Sequence, residues 1–194
     1  MSGVQTPWYP VEAAQRGDRV TVSFWGREAA QDASLFPVSL TTQGRELLHA
    51  PIRLTGEANG EPIVWAEEGC YLLSPAKERA TVNGFAQSQC LIANSTLQWA
   101  YDGGARWDVT IMPRGMTVPQ LFGLEESPVR AWNLSRLRLE IPLRKDAATL
   151  YVSWPAGGAK RLSDGAPLPE NGRIPEGGMT LPFKAGLWLG TEDA

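Results

Sequence analysis

The residue types that most often perform catalysis are scarce in this chain of 194 residues. It has one histidine, His49, and two cysteines, Cys70 and Cys90. Catalytic triads commonly need a histidine, and a zinc ion takes several nitrogen or sulfur ligands. The phosphate-binding glycine loops of Rossmann and P-loop proteins do not occur either. The sequence therefore predicts no metal site, no cofactor and no histidine-based catalysis.

Paired carboxylates are the remaining catalytic candidates. Glycoside hydrolysis can run on two acids that lie about 5 Å apart in retaining enzymes or about 6.5–9.5 Å apart in inverting ones. Adjacent acids occur at Glu67-Glu68, Glu125-Glu126 and Glu192-Asp193. Neighbouring strand positions point to opposite faces of a sheet, and adjacent acids in loops are usually solvated. These pairs therefore predict no catalytic dyad.

One further motif has a catalytic counterpart. Residues 74–77, Ser-Pro-Ala-Lys, fit the Ser-x-x-Lys pattern of penicillin-recognising enzymes, but the companion Ser-Asp-Asn and Lys-Thr-Gly motifs are absent. The tetrapeptide lies between predicted strands and therefore predicts a turn. We expect the chain by itself not to be an enzyme.

Tryptophan is unusually frequent, with eight Trp against five Phe and four Tyr. Indole faces stack on the apolar side of sugar rings, and nearby polar side chains bind the hydroxyls, so this excess suggests a carbohydrate ligand. Trp99 and Trp107 fall within apolar stripes and are predicted to pack in the core. The candidates for contact with a glycan or another domain lie near segment ends: Trp8, Trp25, Arg27 and Trp65.

The elements that position these residues are predicted to be strands. Apolar and polar side chains alternate through residues 90–101 and again through 105–111, and Asp102-Gly103-Gly104 between them predicts the turn of an antiparallel hairpin. Further strands are predicted at 19–25, 36–42, 46–54, 78–88, 134–143, 148–154 and 183–189, with short helical or irregular pieces at 11–16 and 27–34. Together they predict an all-β fold, an antiparallel two-sheet β-sandwich with long Gly/Pro-rich loops, in a single domain over residues 1–194.

Turn residues are densest between residues 155 and 186, where no periodic pattern is present. This segment is predicted to be a long surface loop that covers a site, contacts another domain or is simply mobile. The chain ends five residues after the last predicted strand, which favours the N-terminal part of a longer protein.

Charge and hydropathy exclude several partners. The net charge of -3 gives no basic field for nucleic acid, and no apolar run approaches the roughly 18 residues of a membrane-spanning helix. No secretory signal is evident in the chain as given, so a cytoplasmic location is the default expectation. The spacing of Cys70 and Cys90 leaves a disulfide open, and two buried free thiols are favoured.

Several strand and turn signatures carry a resemblance to a known family. They are Phe24-Trp25-Gly26-Arg27-Glu28, Gln43-Gly44-Arg45-Glu46-Leu47-Leu48, Ala50-Pro51-Ile52-Arg53-Leu54 and Met112-Pro113-Arg114-Gly115, with Leu187-Trp188-Leu189-Gly190-Thr191-Glu192-Asp193 as a later strand. Through them the chain resembles the N-terminal domain attached to glycoside hydrolase family 123 and related predicted glycosidases. None of these segments is a catalytic motif.

The resemblance implies a β-sandwich that precedes a (β/α)-barrel, and the barrel hydrolyses β-linked N-acetylgalactosamine with assistance from the substrate. The catalytic residues belong to the barrel, so none is assigned to this chain. The sequence thus predicts a non-catalytic β-sandwich domain whose partner is the C-terminal catalytic barrel of the same protein. Two alternatives stay open: a free-standing carbohydrate-binding module and a structural domain-docking module.

Overall fold

The computed structural model describes residues 4, 8–115, 132–154, 170–181 and 186–190. Their regular secondary structure is entirely β-strand, and every strand pairing among them is antiparallel. The all-β fold class is therefore confirmed. None of the described residues belongs to a helix capable of crossing a membrane. The chain divides into two compact units, Met1–Pro142 and Leu143–Ala194, and the single domain over 1–194 stays a prediction.

The first unit contains three sheets. The first sheet follows chain order, with β1 (Glu12–Arg16), β2 (Arg19–Phe24), β3 (Arg27–Asp32), β4 (Ser39–Thr42) and β5 (Arg45–Glu46). The second sheet consists of β8 (Trp65–Pro75), β9 (Arg79–Ser88), β10 (Leu91–Ala100) and β11 (Ala105–Pro113), in the order β11-β10-β9-β8. The third sheet consists of β6 (Arg53–Ala58), β7 (Glu61–Pro62) and β12 (Leu134–Glu140), in the order β12-β6-β7.

The first two sheets face each other as a sandwich. Val20 and Val22 on β2 and Leu97 on β10 are each at most 1% exposed and share one apolar cluster. The rings of Phe24 and Trp99 stack across the two sheets with centroids 5.5 Å apart. Burial alternates along β10 as predicted, because successive side chains on a strand point to opposite faces.

The third sheet adds a layer that the two-sheet prediction lacks. Its Ala58 packs with Ile63, Cys90 and Leu91 in a separate buried cluster. Cys90 lies in this cluster and Cys70 in the cluster between the first two sheets, and both are buried free thiols. The favoured state of the two cysteines is confirmed.

Tight turns join most neighbouring strands. The loops Trp25-Gly26, Gln43-Gly44 and Asn59-Gly60 each have two residues with positive φ, at 41° and 71°, 50° and 75°, and 53° and 82°. Two positive φ values define the type I′ turn, whose twist matches that of the flanking strands. These dipeptides therefore set the register of three hairpins.

Two segments predicted to be helical or irregular are strands. Residues 11–16 contain the edge strand β1, which is mostly exposed and so carries no apolar alternation. Residues 27–34 contain β3, where Ala29, Ala30 and Gln31 are buried in succession. Because both faces of β3 are covered at that point, the period-two pattern is lost.

Two other sequence predictions also differ from the structure. The strand predicted at 46–54 is largely a loop, in which Leu48 and Ile52 are buried while the Ile52 N–H donates to Pro37 O at 3.1 Å. Strand β8 is missed by the sequence because Glu67-Glu68-Gly69 interrupts the pattern and the pairing with β9 shifts register twice.

The second unit has a sheet of its own. Its strands are β13 (Leu150–Trp154), β14 (Glu170–Arg173) and β15 (Gly186–Gly190), with β13 in the centre. β14 falls within 155–186, so the long loop predicted there contains a strand. The rest of that loop, 155–169 and 182–185, lies outside the described residues.

Glu46 fixes the β4–β5 hairpin in place. Its carboxylate accepts hydrogen bonds from Ser39 Oγ, from Leu40 N at 3.0 Å and from Leu48 N at 2.8 Å. Partial burial acts to raise the pKa of Glu46, but these hydrogen bonds outweigh it and hold the pKa below 4.5. The ionised form is therefore the one that the fold stabilises.

We expect Glu46→Ala to lower the free energy of unfolding at pH 7 by about 1–3 kcal/mol, since three donors lose a charged acceptor. Because the pKa is lowered in the folded state, this stabilisation is complete above the unfolded pKa and is lost as the pH falls through the folded pKa. Urea unfolding at pH 7 and pH 3 measures the difference. An equal deficit at both pH values would contradict the role of the charge.

Candidate functional site

Three hairpin tips meet at one end of the sandwich. The Gln43 N–H at the β4–β5 tip donates to Gly26 O at the β2–β3 tip at 2.7 Å. The Arg27 guanidinium lies over Gly103 at the β10–β11 tip, so that a Cβ built on this glycine would be 1.7 Å from Nη1. Gly103 has a φ of 87° and forms the predicted turn, where its N–H donates to Ala100 O at 3.0 Å.

An aromatic cluster covers these tips. Trp8 meets Trp25 edge to face with ring centroids 4.4 Å apart, and it meets Tyr101 in the same manner at 6.3 Å. Arg27 Cζ lies 5.6 Å from the centroid of the Trp25 ring, within the range of a cation–π contact. We call Trp8, Trp25, Arg27 and Tyr101 the tip cluster. It unites three of the four candidates from the sequence.

Trp25 has an unusual conformation for its size. Its φ of 41° places it in the left-handed region, which disfavours bulky side chains by roughly 1–2 kcal/mol. Asn-Gly is the preferred sequence for such a turn, yet a tryptophan occupies the first position and remains 39% exposed. Strain at an exposed side chain is characteristic of a functional position.

The tip cluster lies beside polar groups that can bind hydroxyls. A Cβ on Gly26 would lie 2.7 Å from Gln43 Nε2, so the Gln43 amide rests directly on the Trp25-Gly26 turn. Asp102 is adjacent to Gly103, and its Oδ1 accepts from Gly104 N at 2.9 Å. The end of the sandwich therefore combines aromatic faces with a guanidinium, an amide and a carboxylate.

Sequence reasoning missed Tyr101 and Gln43 as site residues. Tyr101 shares the parity of Trp99 and directly precedes the Asp102-Gly103-Gly104 turn. Gln43 is followed by Gly44, as Trp25 is by Gly26. A residue followed by glycine between two short strands was therefore the sequence signal for a hairpin tip. This signal does not show which tips lie together.

Trp65, the fourth candidate, lies elsewhere. It begins β8, its indole Nε1 donates to Leu54 O at 2.6 Å, and its ring packs against the Ala58 and Cys90 cluster. The ring is half-buried, and its polar atom has a backbone partner. The geometry gives Trp65 a structural role at the third sheet.

We expect Trp65→Phe to lower the free energy of unfolding by about 1–3 kcal/mol, because Leu54 O loses its donor and the smaller ring leaves a gap. Chemical denaturation of the variant beside the unchanged chain measures the effect. Unchanged stability would contradict the structural role of Trp65.

The described acids form no catalytic pair with the tip cluster. Partial burial raises the pKa of Glu68, an effect that a hydrogen bond from the Leu35 backbone N–H opposes. No three His, Cys, Asp or Glu side chains among the described residues lie close enough to hold a metal ion. The Glu67 side chain and the pairs Glu125-Glu126 and Glu192-Asp193 lie outside the described residues.

The other two catalytic candidates occupy ordinary structural positions. His49 is exposed, and its backbone N–H donates to Pro142 O at 2.7 Å. Ser74 and Pro75 end β8, and Ala76 exchanges backbone hydrogen bonds with Arg79 at 2.9 and 3.2 Å. The turn predicted for residues 74–77 therefore begins only at Ala76, because Ser74 and Pro75 still belong to β8.

Comparison of the chain with protein-family models and with curated proteins finds no match in either set. The resemblance to the domain of glycoside hydrolase family 123 stays a prediction.

Proposed function

We propose that this chain is a non-catalytic, carbohydrate-contacting β-sandwich of a glycoside-hydrolase-type protein, with the tip cluster as its glycan-facing surface. The observation that carries the proposal is the convergence of Trp8, Trp25 and Arg27 where three hairpin tips meet. Loops at the end of a rigid sandwich are a common place for binding residues.

The chemistry of the tip cluster suits a sugar. A pyranose ring offers an apolar CH face for an indole and a rim of hydroxyls for polar groups. The exposed part of Trp25 supplies the aromatic surface, and the Arg27 guanidinium and the Gln43 amide supply hydrogen-bonding atoms within the same set of turns. The edge-to-face contact with Trp8 holds the Trp25 ring in one orientation, which reduces the entropy lost on binding.

The proposed partner is a catalytic barrel in the same protein that acts on β-linked N-acetylgalactosamine. This part of the proposal rests on the family resemblance. Bond cleavage takes place in the barrel, and the sandwich contributes stability and a surface on the substrate side.

A glycan array tests the proposal, with tryptophan fluorescence as a second readout for any glycan that binds. We expect at least one class of glycan to bind and to shift the emission, because Trp8 and Trp25 lie in the site. Turnover of aryl N-acetyl-β-galactosaminides should be absent. A flat array would overturn the carbohydrate assignment, and turnover abolished by changing Glu67, Glu68, Glu125 or Glu126 would overturn the non-catalytic one.

A domain-docking role is the second candidate, and exposed apolar side chains favour it. Val64 is 64% exposed, and Trp132, Leu134 and Ile141 around β12 are 36–43% exposed. Apolar residues of this kind are typical of surfaces that another domain covers. Light scattering distinguishes the two roles, since uncovered docking surfaces should make the isolated chain self-associate, and a clean monomer would contradict this candidate.

A further inference from the structure

Arg27 differs from every other described lysine and arginine in its surroundings. It is half-buried, whereas all the others among the described residues are exposed. Partial burial removes some of the water around the side chain without removing its charge, since arginine stays protonated in proteins. A cation in this state normally has an anionic partner.

No carboxylate within the described residues forms an ion pair with Arg27. Arg19 pairs with Asp32 at 2.6 Å and Arg106 with Asp108 at 2.9 Å, so exposed arginines of the same two sheets do have partners. Asp102 precedes Gly103 at the neighbouring tip, and its Oδ1 accepts a hydrogen bond from Gly104 N at 2.9 Å. The contact that Arg27 does make is with the face of Trp25.

The tip restricts the position of the guanidinium. The Trp25 ring supports it at 5.6 Å, and the missing side chain of Gly103 leaves the space in which it lies. A supported guanidinium presents two parallel N–H donors to a carboxylate or sulfate, and it loses little entropy on binding because its orientation is already restricted.

From this arrangement we infer that the tip cluster recognises an acidic sugar, with Arg27 binding its carboxylate or sulfate and Trp25 contacting its ring. The inference rests on the proposed function, because it specifies the glycan class that the same surface takes. A neutral glycan would offer the Arg27 guanidinium no ion pair.

The test compares matched acidic and neutral polymers by affinity electrophoresis and calorimetry. Polygalacturonate and its methyl-esterified form share one sugar backbone and differ at the carboxylate, and dextran sulfate and dextran differ at the sulfate. We expect binding to at least one acidic polymer to be at least tenfold tighter than to its neutral partner and to weaken as salt is added. The pair that shows the difference identifies the anionic group.

Variants test whether Arg27 causes the tighter binding of the acidic polymer. Arg27→Gln should weaken binding to the acidic polymer at least tenfold, and Arg27→Lys should weaken it less because the charge remains without the two-donor geometry. Arg138→Gln, which removes an exposed arginine from β12, is the matched control and should change affinity less than twofold. Equal losses for Arg27→Gln and Arg138→Gln would overturn the inference.

The outcomes separate this inference from the proposed function. Equal binding to acidic and neutral polymers that is lost in Trp25→Asn would overturn the inference and keep the proposed function. No binding to any of these polymers would overturn the inference, and only a flat glycan array as well would overturn the proposed function. Binding to polyglutamate as tight as to polygalacturonate would show recognition of charge alone and would overturn the assignment of a sugar.

Discussion

Trp25→Asn should weaken the proposed glycan binding at least tenfold while changing the stability of the fold little. The substitution creates Asn-Gly, the sequence that a type I′ turn prefers, and so relieves a strain of roughly 1–2 kcal/mol. It also removes an aromatic pair worth about 0.5–1.5 kcal/mol and a cation–π contact worth about 0.5–1 kcal/mol. The free energy of unfolding should therefore change by no more than about 1.5 kcal/mol, while affinity falls at least tenfold.

Two further variants make this prediction specific. Trp25→Ala lacks the short polar side chain with which Asn tolerates positive φ, so it should lose the same affinity and be about 1 kcal/mol less stable than Trp25→Asn. Trp132→Asn removes another tryptophan of similar exposure, 36% against 39%, and should bind glycan normally. Urea unfolding and calorimetric titration measure both quantities. Normal binding by Trp25→Asn would remove the tip cluster from consideration as the site.

Gly84→Ala should have the largest effect on stability, a loss of about 2–4 kcal/mol in the free energy of unfolding. A Cβ at this position in β9 would lie 2.7 Å from Leu35 O, Gln31 Nε2 and Ser95 Oγ. None of these atoms is free to move, because Leu35 O is backbone and accepts from Ser95 Oγ, while Gln31 Nε2 donates to Ser34 O at 2.6 Å. The glycine allows the 33–36 loop to enter the sandwich.

Gly177→Ala is the control for this prediction. A Cβ on Gly177 meets nothing within 4 Å, so the same substitution should change stability by less than about 0.5 kcal/mol. Guanidinium unfolding of both variants gives the comparison. A deficit below about 1 kcal/mol for Gly84→Ala would mean that the loop withdraws easily and that its polar contacts stabilise little.

The 33–36 loop, which packs against Gly84, also shows why part of the fold could not be predicted. Gln31 is a polar side chain only 3% exposed, and sequence reasoning placed it in a helical or irregular piece. Its burial is possible because Ser34 O accepts its amide hydrogen, a partner that exists only once the loop has folded between the sheets. Hydrogen-bond partners of this kind leave no periodic signal in the sequence.

The sequence by itself determined the all-β fold, the β10–β11 hairpin with its Asp102-Gly103-Gly104 turn, and the inward position of Trp99. These features depend on a strand's period of two and on the φ that glycine permits, and both are local properties of the chain. Only the tertiary structure decided that Trp8, Trp25 and Arg27 meet Tyr101 while Trp65 belongs to a third sheet. That choice depends on which hairpin tips pack together, and it is made by contacts between residues far apart in the chain.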